Sequence, residues 1–393
     1  MNMLTTRSRL PEFIDRRINY YVSDLINTKD NGRNLVLGKK PHTGDIILQS
    51  NDYLALTHHP KIIDAQVSSL LSHKDTAFMS NVFLHSDGLD KTVEHRLADY
   101  TGFQTCTIAP SGWIANIGLL QTICDSDTNV YIDFFAHMSL WEGARIAGAN
   151  IHPFMHNNAR HLKRTIKRNG PGVVLVDSIY STIGTIAPLQ EIVDIAKELG
   201  CAVVVDESHS LGTHGSRGAG LLEALNLTSQ VDFMTASLAK TFAYRAGAVW
   251  CNNLAGQVVP YVSFPSIFSS AMMAFELDRI DATLSVIKDS EQARTQLTYC
   301  AEQVVSGLKD IGFDIRSESQ IIGLETGEKT NTRKVRNFFE DNGVFGSVFC
   351  TPATPDNKNI LRLSLNSSLT NNDIDKILSV ARKAYYNKDL YFV

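Results

Sequence analysis

The chain has 393 residues, 44% hydrophobic and 20% charged, with a formal net charge of -4. That balance suits a globular protein and excludes a basic stripe for nucleic acid or a cationic face for a membrane surface. The length exceeds one ordinary core and implies a large and a smaller domain.

Met1 to Leu10 carries two arginines with no apolar segment behind them, and no apolar run approaches the roughly 20 residues of a membrane span. A cytoplasmic location is therefore expected. Residues 1–45 read as an N-terminal arm with a helical stretch, Ile18 to Ile26, and a turn at Lys40–Gly44. Residues 46–270 read as the large domain. Its β-branched runs are Thr105–Ala109, Asn129–Phe134, Val173–Val176, Ala202–Val205, Val231–Thr235 and Ala246–Cys251. Between them lie amphipathic stretches Pro60–Ser72, Leu89–Tyr100, Trp113–Cys124, Met138–Ala147, Ala159–Arg168 and Leu189–Leu199. This alternation predicts an α/β fold with a mostly parallel sheet. Residues 271–393 read as a smaller α+β C-terminal domain. One long helical stretch, Ala271 to Leu308, precedes strands at Asp314–Arg316, near Ile321 and at Ile360–Leu365, and a helix from Asn372 to Tyr385 closes it. The six cysteines are scattered without a C-x-x-C pair and read as reduced core residues, with no clustered metal ligands.

Ligands of such sheets sit beyond the carboxyl ends of the strands, and four features lie there. Ser111-Gly112-Trp113 precedes a helix whose free N–H groups suit a phosphate; it is equally an ordinary cap. His137 follows a strand and could stack on a flat ring or simply bond backbone. Asp206 ends the apolar run Val203–Val205, with His209 three residues on. A buried carboxylate needs a partner, and a protonated pyridine nitrogen is one; a structural Asp–His pair is the plain alternative. Lys240 follows Ser237-Leu238-Ala239, where burial would lower its pKa and make its amine a nucleophile; a solvated lysine is the ordinary reading. The order, phosphate cap then ring acid then lysine, is more specific than any one feature.

With those residues in view, the sequence resembles the α-oxoamine synthases, a branch of the fold-type I, aspartate-aminotransferase-like enzymes that use pyridoxal 5'-phosphate (PLP). The resemblance runs through Asn51-Asp52-Tyr53-Leu54, Ser111-Gly112-Trp113-x-Ala115-Asn116, Asp206-Glu207-Ser208-His209-Ser210, Ser237-Leu238-Ala239-Lys240, Phe268-Ser269-Ser270-Ala271 and Leu361-Arg362-Leu363-Ser364. It implies that Lys240 carries PLP as a Schiff base and acts as general base. Asp206 would bind the pyridine nitrogen and His137 would stack on the ring. His209 and Ser181 would contact the ring hydroxyl. Ser111, Gly112, Trp113, Ser237 and, from a partner chain, Ser270 would hold the phosphate, which implies a homodimer. Arg362 would clamp the substrate carboxylate.

Three departures from the family pattern narrow the resemblance. Ala77–Leu84 replaces a glycine-rich segment, Ser178 replaces a glutamate, and Ser367-Ser368-Leu369-Thr370 replaces A-x-H-T. The closest branch is the vibrio-type synthases of quorum-sensing autoinducers. That resemblance implies an acyl-CoA:amino acid C-acyltransferase performing a decarboxylating Claisen-type condensation. Its product would be a medium-chain α-aminoketone, its amino donor 2-aminobutyrate or S-adenosylmethionine, and Val82, Phe83 and Leu84 would suit the acyl chain. The alternatives are a housekeeping oxoamine synthase and a catalytically silent partner subunit.

Overall fold

The computed structural model describes residues 10–20, 35–72, 79–83 and 88–393. Eleven strands occur among them: β1 (Ile46–Leu48), β2 (Thr105–Ala109), β3 (Asn129–Asp133), β4 (Asn150–Phe154), β5 (Val173–Asp177), β6 (Ala202–Asp206), β7 (Phe233–Ser237), β8 (Gly247–Cys251), β9 (Ile321–Gly327), β10 (Val344–Phe349) and β11 (Asn359–Ser364). Seven form one sheet in the order β2-β8-β7-β6-β5-β3-β4. Only β8 runs against the rest. Every residue of β5 and β8 is buried. Helices cover both faces, so continuous Val-rich runs rather than alternating ones are what this sheet requires.

The parallel register sets the geometry of the site. Asp177 pairs with Asp206, and Asp206 pairs with Thr235. The carboxyl ends of β5, β6 and β7 are therefore level, and the residues that follow them converge. Helix Gly112–Ile123 starts immediately beyond β2, where Ser111 accepts a hydrogen bond from the Ile114 N–H at 3.2 Å.

The second sheet has the order β1-β10-β11-β9, with β1 parallel to β10 and the other pairs antiparallel. Ile46–Leu48, expected to open the large domain, thus pairs with Val344–Gly346 of the small sheet. The helical stretch from Ala271 to Leu308 divides into Ala274–Lys288 and Glu291–Ile311, with Asp289 and Ser290 between them. The first of these packs on the helices Pro60–Ser72 and Leu89–Thr101. Asp314–Arg316 is not a strand. It lies in the irregular segment after Gly312, whose left-handed φ of +119° ends the preceding helix. Three strands, β1, β4 and β10, are additions to the sequence reading. β4 holds Pro153 and half-exposed residues, as an edge strand can. β10 contains Gly346, which weakens its signal. The helical stretch expected from Ile18 extends beyond the described residues; helix Glu12–Asn19 ends just inside it. Cys106, Cys124, Cys201, Cys251 and Cys300 are buried free thiols, and Cys350 is half-buried.

Candidate active site

Beyond the ends of β5, β6 and β7 lies a cavity of about 210 Å³. Ser111, Gly112, Trp113, His137, Asp206, His209, Ser237 and Lys240 all line it. The local reasons differ. Ser111 and Gly112 are brought there by the helix start. Asp206 is the last residue of its strand, and the turn after it returns His209 to the same mouth. Ser237 ends β7, and its N–H donates to the Ser208 hydroxyl at 2.7 Å, joining the two turns.

Gly112 is required by contact rather than by backbone angle. A Cβ there would stand 2.5 Å from the Ser237 Cβ and 2.7 Å from its Cα. A Cβ on Gly247 would stand 2.3 Å from the Ser111 carbonyl carbon. The helix N-terminus is thus pressed against the β7–β8 edge, leaving free N–H groups facing the cavity beside the Ser237 hydroxyl. An anionic group fits that cradle.

The charges around it are arranged asymmetrically. Asp206 is 4% exposed. One carboxylate oxygen accepts from the Ser208 N–H at 2.9 Å and the other from the Asn116 amide at 2.8 Å. Burial pushes the Lys240 amine below its usual pKa, and the Arg362 guanidinium adds to the depression, while Asp206 and Asp177 oppose it. Burial also drives His209 well below the ordinary histidine value, with Lys240, Arg362 and His137 contributing in the same sense. Its Nδ1 meets the Tyr53 hydroxyl at 2.6 Å, which leaves Nε2 for a ligand in the cavity. Trp113 sits edge-on to His137, with ring centroids 6.2 Å apart.

Arg362, on β11, is 4% exposed and has no carboxylate partner among the described residues. It donates to the Ser181 carbonyl at 2.8 Å and to the Asn51 side-chain oxygen at 3.0 Å, and it stacks 4.5 Å over Phe349. Its Nε has no acceptor among the described residues. A buried, uncompensated guanidinium is costly and suits an incoming carboxylate.

Several expected residues lie elsewhere. Ser181 presents its carbonyl to Arg362 and does not line the cavity. Ser270 bridges to Ser80 and lines a separate crevice. Val82 and Phe83 form a short 3-10 turn away from the cavity, with Phe83 exposed, and Leu84 lies outside the described residues. Other residues were not singled out from sequence. Asp177 lines the cavity, buried, with its carboxyl held well above the usual range by burial and by Asp206. Its place at the end of an apolar run, like that of Asp206, was the available signal. Asn116 and Ser139 also line it, and Tyr53 backs His209.

Comparison with known proteins places the chain in a family. The family model for aminotransferase class I and II matches residues 43–380. The chain is 54% identical over 383 residues to the CAI-1 autoinducer synthase of Vibrio campbellii, covering 98% of each chain. It is 28% identical to the serine palmitoyltransferase of Bacteriovorax stolpii, over 89% of this chain and 83% of that one. A high-resolution structure of SPT with PLP superposes with a TM-score of 0.82 at 25% identity, covering 94% of this chain and 96% of that one. The chain belongs to the aminotransferase class I and II family, with the fold of the type I PLP-dependent transferases.

Proposed function

We propose that this protein is a PLP-dependent acyltransferase of the α-oxoamine synthase type. It would condense an acyl-CoA with a small α-amino acid, with loss of CO2, to make the aminoketone precursor of a quorum-sensing autoinducer. The observation that carries this is Lys240 and Asp206 opening into one cavity beside a helix-start anion cradle, in a chain 54% identical to a named autoinducer synthase.

PLP, when bound, supplies an electron sink for the charge left on the amino acid's α-carbon. The residues do the rest. Ser111, Gly112 and Ser237 hold the phosphate, with the partner's copy of Ser270 completing the cradle in a homodimer. Asp206 keeps a proton on the ring nitrogen. His209 offers Nε2 to the ring hydroxyl. Arg362 orients the amino acid through its carboxylate. Lys240, with its ammonium form disfavoured, takes up the α-proton as general base. The acyl-CoA thioester would receive the resulting carbon nucleophile, the new C–C bond replacing the C–S bond, and CoA would leave as the thiol with the proton held by Lys240; the bond from the α-carbon to its carboxylate would then break to release CO2, and a proton from solvent would take its place on that carbon.

Incubating holoenzyme with defined acyl-CoAs and either 2-aminobutyrate or S-adenosylmethionine, and weighing the products by mass spectrometry, tests the reading. A medium-chain aminoketone with stoichiometric CoA release is expected. Products only from serine with palmitoyl-CoA, or from short or dicarboxylic acyl donors, would reassign the protein to a housekeeping oxoamine synthase. No product from any pair would favour a silent subunit.

A further inference from the structure

Four cavity residues form one chain of hydrogen bonds whose direction can be worked out atom by atom. Asp206, as carboxylate, only accepts, so the Asn116 group facing it at 2.8 Å is the amide NH2. The second hydrogen of that NH2 points to the Ser139 hydroxyl, also at 2.8 Å. Asn116 is 1% and Ser139 0% exposed, so water does not supply alternatives. Having accepted from Asn116, the Ser139 hydroxyl must place its own hydrogen elsewhere. The acceptor within reach is His137 Nδ1, at 2.7 Å. The Ser139 backbone N–H points at the same nitrogen, at 3.3 Å, as the cap of helix Met138–Ile146. Were Nδ1 protonated, the buried hydroxyl hydrogen and the cap N–H would both lose their acceptor, and a buried donor left without one is destabilising.

We infer that Asn116 and Ser139 are positioning residues that fix His137 as the neutral imidazole with its proton on Nε2, so that His137 acts as a hydrogen-bond donor towards the bound substrate and not as a base. Nδ1 is covered by two donors, and Nε2, which makes no hydrogen bond among the described residues, is the nitrogen left to the cavity. The His137 main-chain N–H is pinned separately, donating to Asp177 at 3.1 Å. The charged and titratable groups around the ring are Asp206, Asp177, Lys240 and His209. A single polarity runs from Asp206 to His137, so the acid and the imidazole share one protonation pattern. With its free nitrogen already protonated, His137 has no lone pair for the α-proton, and that task falls to Lys240.

The decisive measurement is the ¹⁵N spectrum of histidine-labelled holoenzyme, with the His137 signals identified by their loss in His137→Asn. Nδ1 should appear unprotonated and Nε2 should carry the hydrogen across the pH range of activity. A protonated Nδ1 would overturn the inference. The tautomer is read on the unaltered holoenzyme, and His137→Asn serves only to assign its signals. Ser139→Ala should lower kcat about tenfold, the scale seen when the partner orienting a functional histidine is removed, and should move the acid limb of the pH profile upward. Ser139→Thr should restore both. An unchanged acid limb in a folded Ser139→Ala enzyme would also count against it. The turnover arm rests on the proposed acyltransferase function, whereas the spectrum does not. Failure to form product would sink the former and leave the tautomer measurement standing.

Discussion

At position 240 two influences compete. Burial and the Arg362 guanidinium disfavour the ammonium, Asp206 and Asp177 favour it, and the first pair prevails. A lysine with a folded-state pKa below its unfolded value binds fewer protons in the native state, so stability rises with pH through the interval between the two values. Replacing Lys240 with Met in cofactor-free protein should therefore stabilise it near pH 7, with the gain shrinking towards about pH 10. Urea titrations at both pH values check this, and a gain that does not shrink would contradict the sign. The same variant should lose turnover entirely. Asp177 illustrates a residue whose role no motif announced. Burial and the neighbouring Asp206 push its carboxyl well above the usual carboxylate range.

The element that matters most is the helix start at Ser111–Gly112. Its closeness to β7 is set by the absence of side-chain atoms at Gly112 and Gly247. Gly112→Ala places a methyl 2.7 Å from the Ser237 Cα, a backbone atom that cannot swing aside. Overpacking of this kind costs about 1–3 kcal/mol, and here it also separates the two halves of the proposed phosphate cradle. The expected outcome is a lower Tm together with at least tenfold weaker PLP binding, followed by absorbance titration of the cofactor. PLP affinity equal to wild type would show that the cradle is not where the cofactor's phosphate sits.

Over the whole molecule, the two sheets meet at the site. Arg362 comes from the small sheet, Lys240 and Asp206 from the large one, and Gln320 donates to the His209 carbonyl at 2.7 Å across the join. The segment from Leu254 to Phe268 exposes Leu254, Tyr261, Phe264 and Phe268, each at least 60%. So much apolar surface beside Ser270 is in keeping with the proposed homodimer. Sedimentation equilibrium should give twice the chain mass of 43.5 kDa, and Phe268→Asp should shift the population to monomer with loss of PLP. A monomeric, fully active wild type would remove Ser270 from the partner's site.

The alternating apolar runs, the acid ending one of them, and the small-residue approach to Lys240 were legible from composition and spacing, because a doubly covered parallel sheet needs long apolar strands and leaves only their ends free for chemistry. The strand β10 and the edge strand β4 were not. In one, Gly346-Ser347 breaks the apolar run, and the other is half-exposed around Pro153, so neither carries a continuous apolar run. Ile46–Leu48 could not be assigned to a sheet from sequence, since its partner lies about 300 residues away. The residues that orient the site, Asn116, Ser139, Asp177 and Tyr53, gained their meaning only in three dimensions. A hydrogen bond is decided by a distance of a few tenths of an ångström, and no periodicity in the chain encodes that.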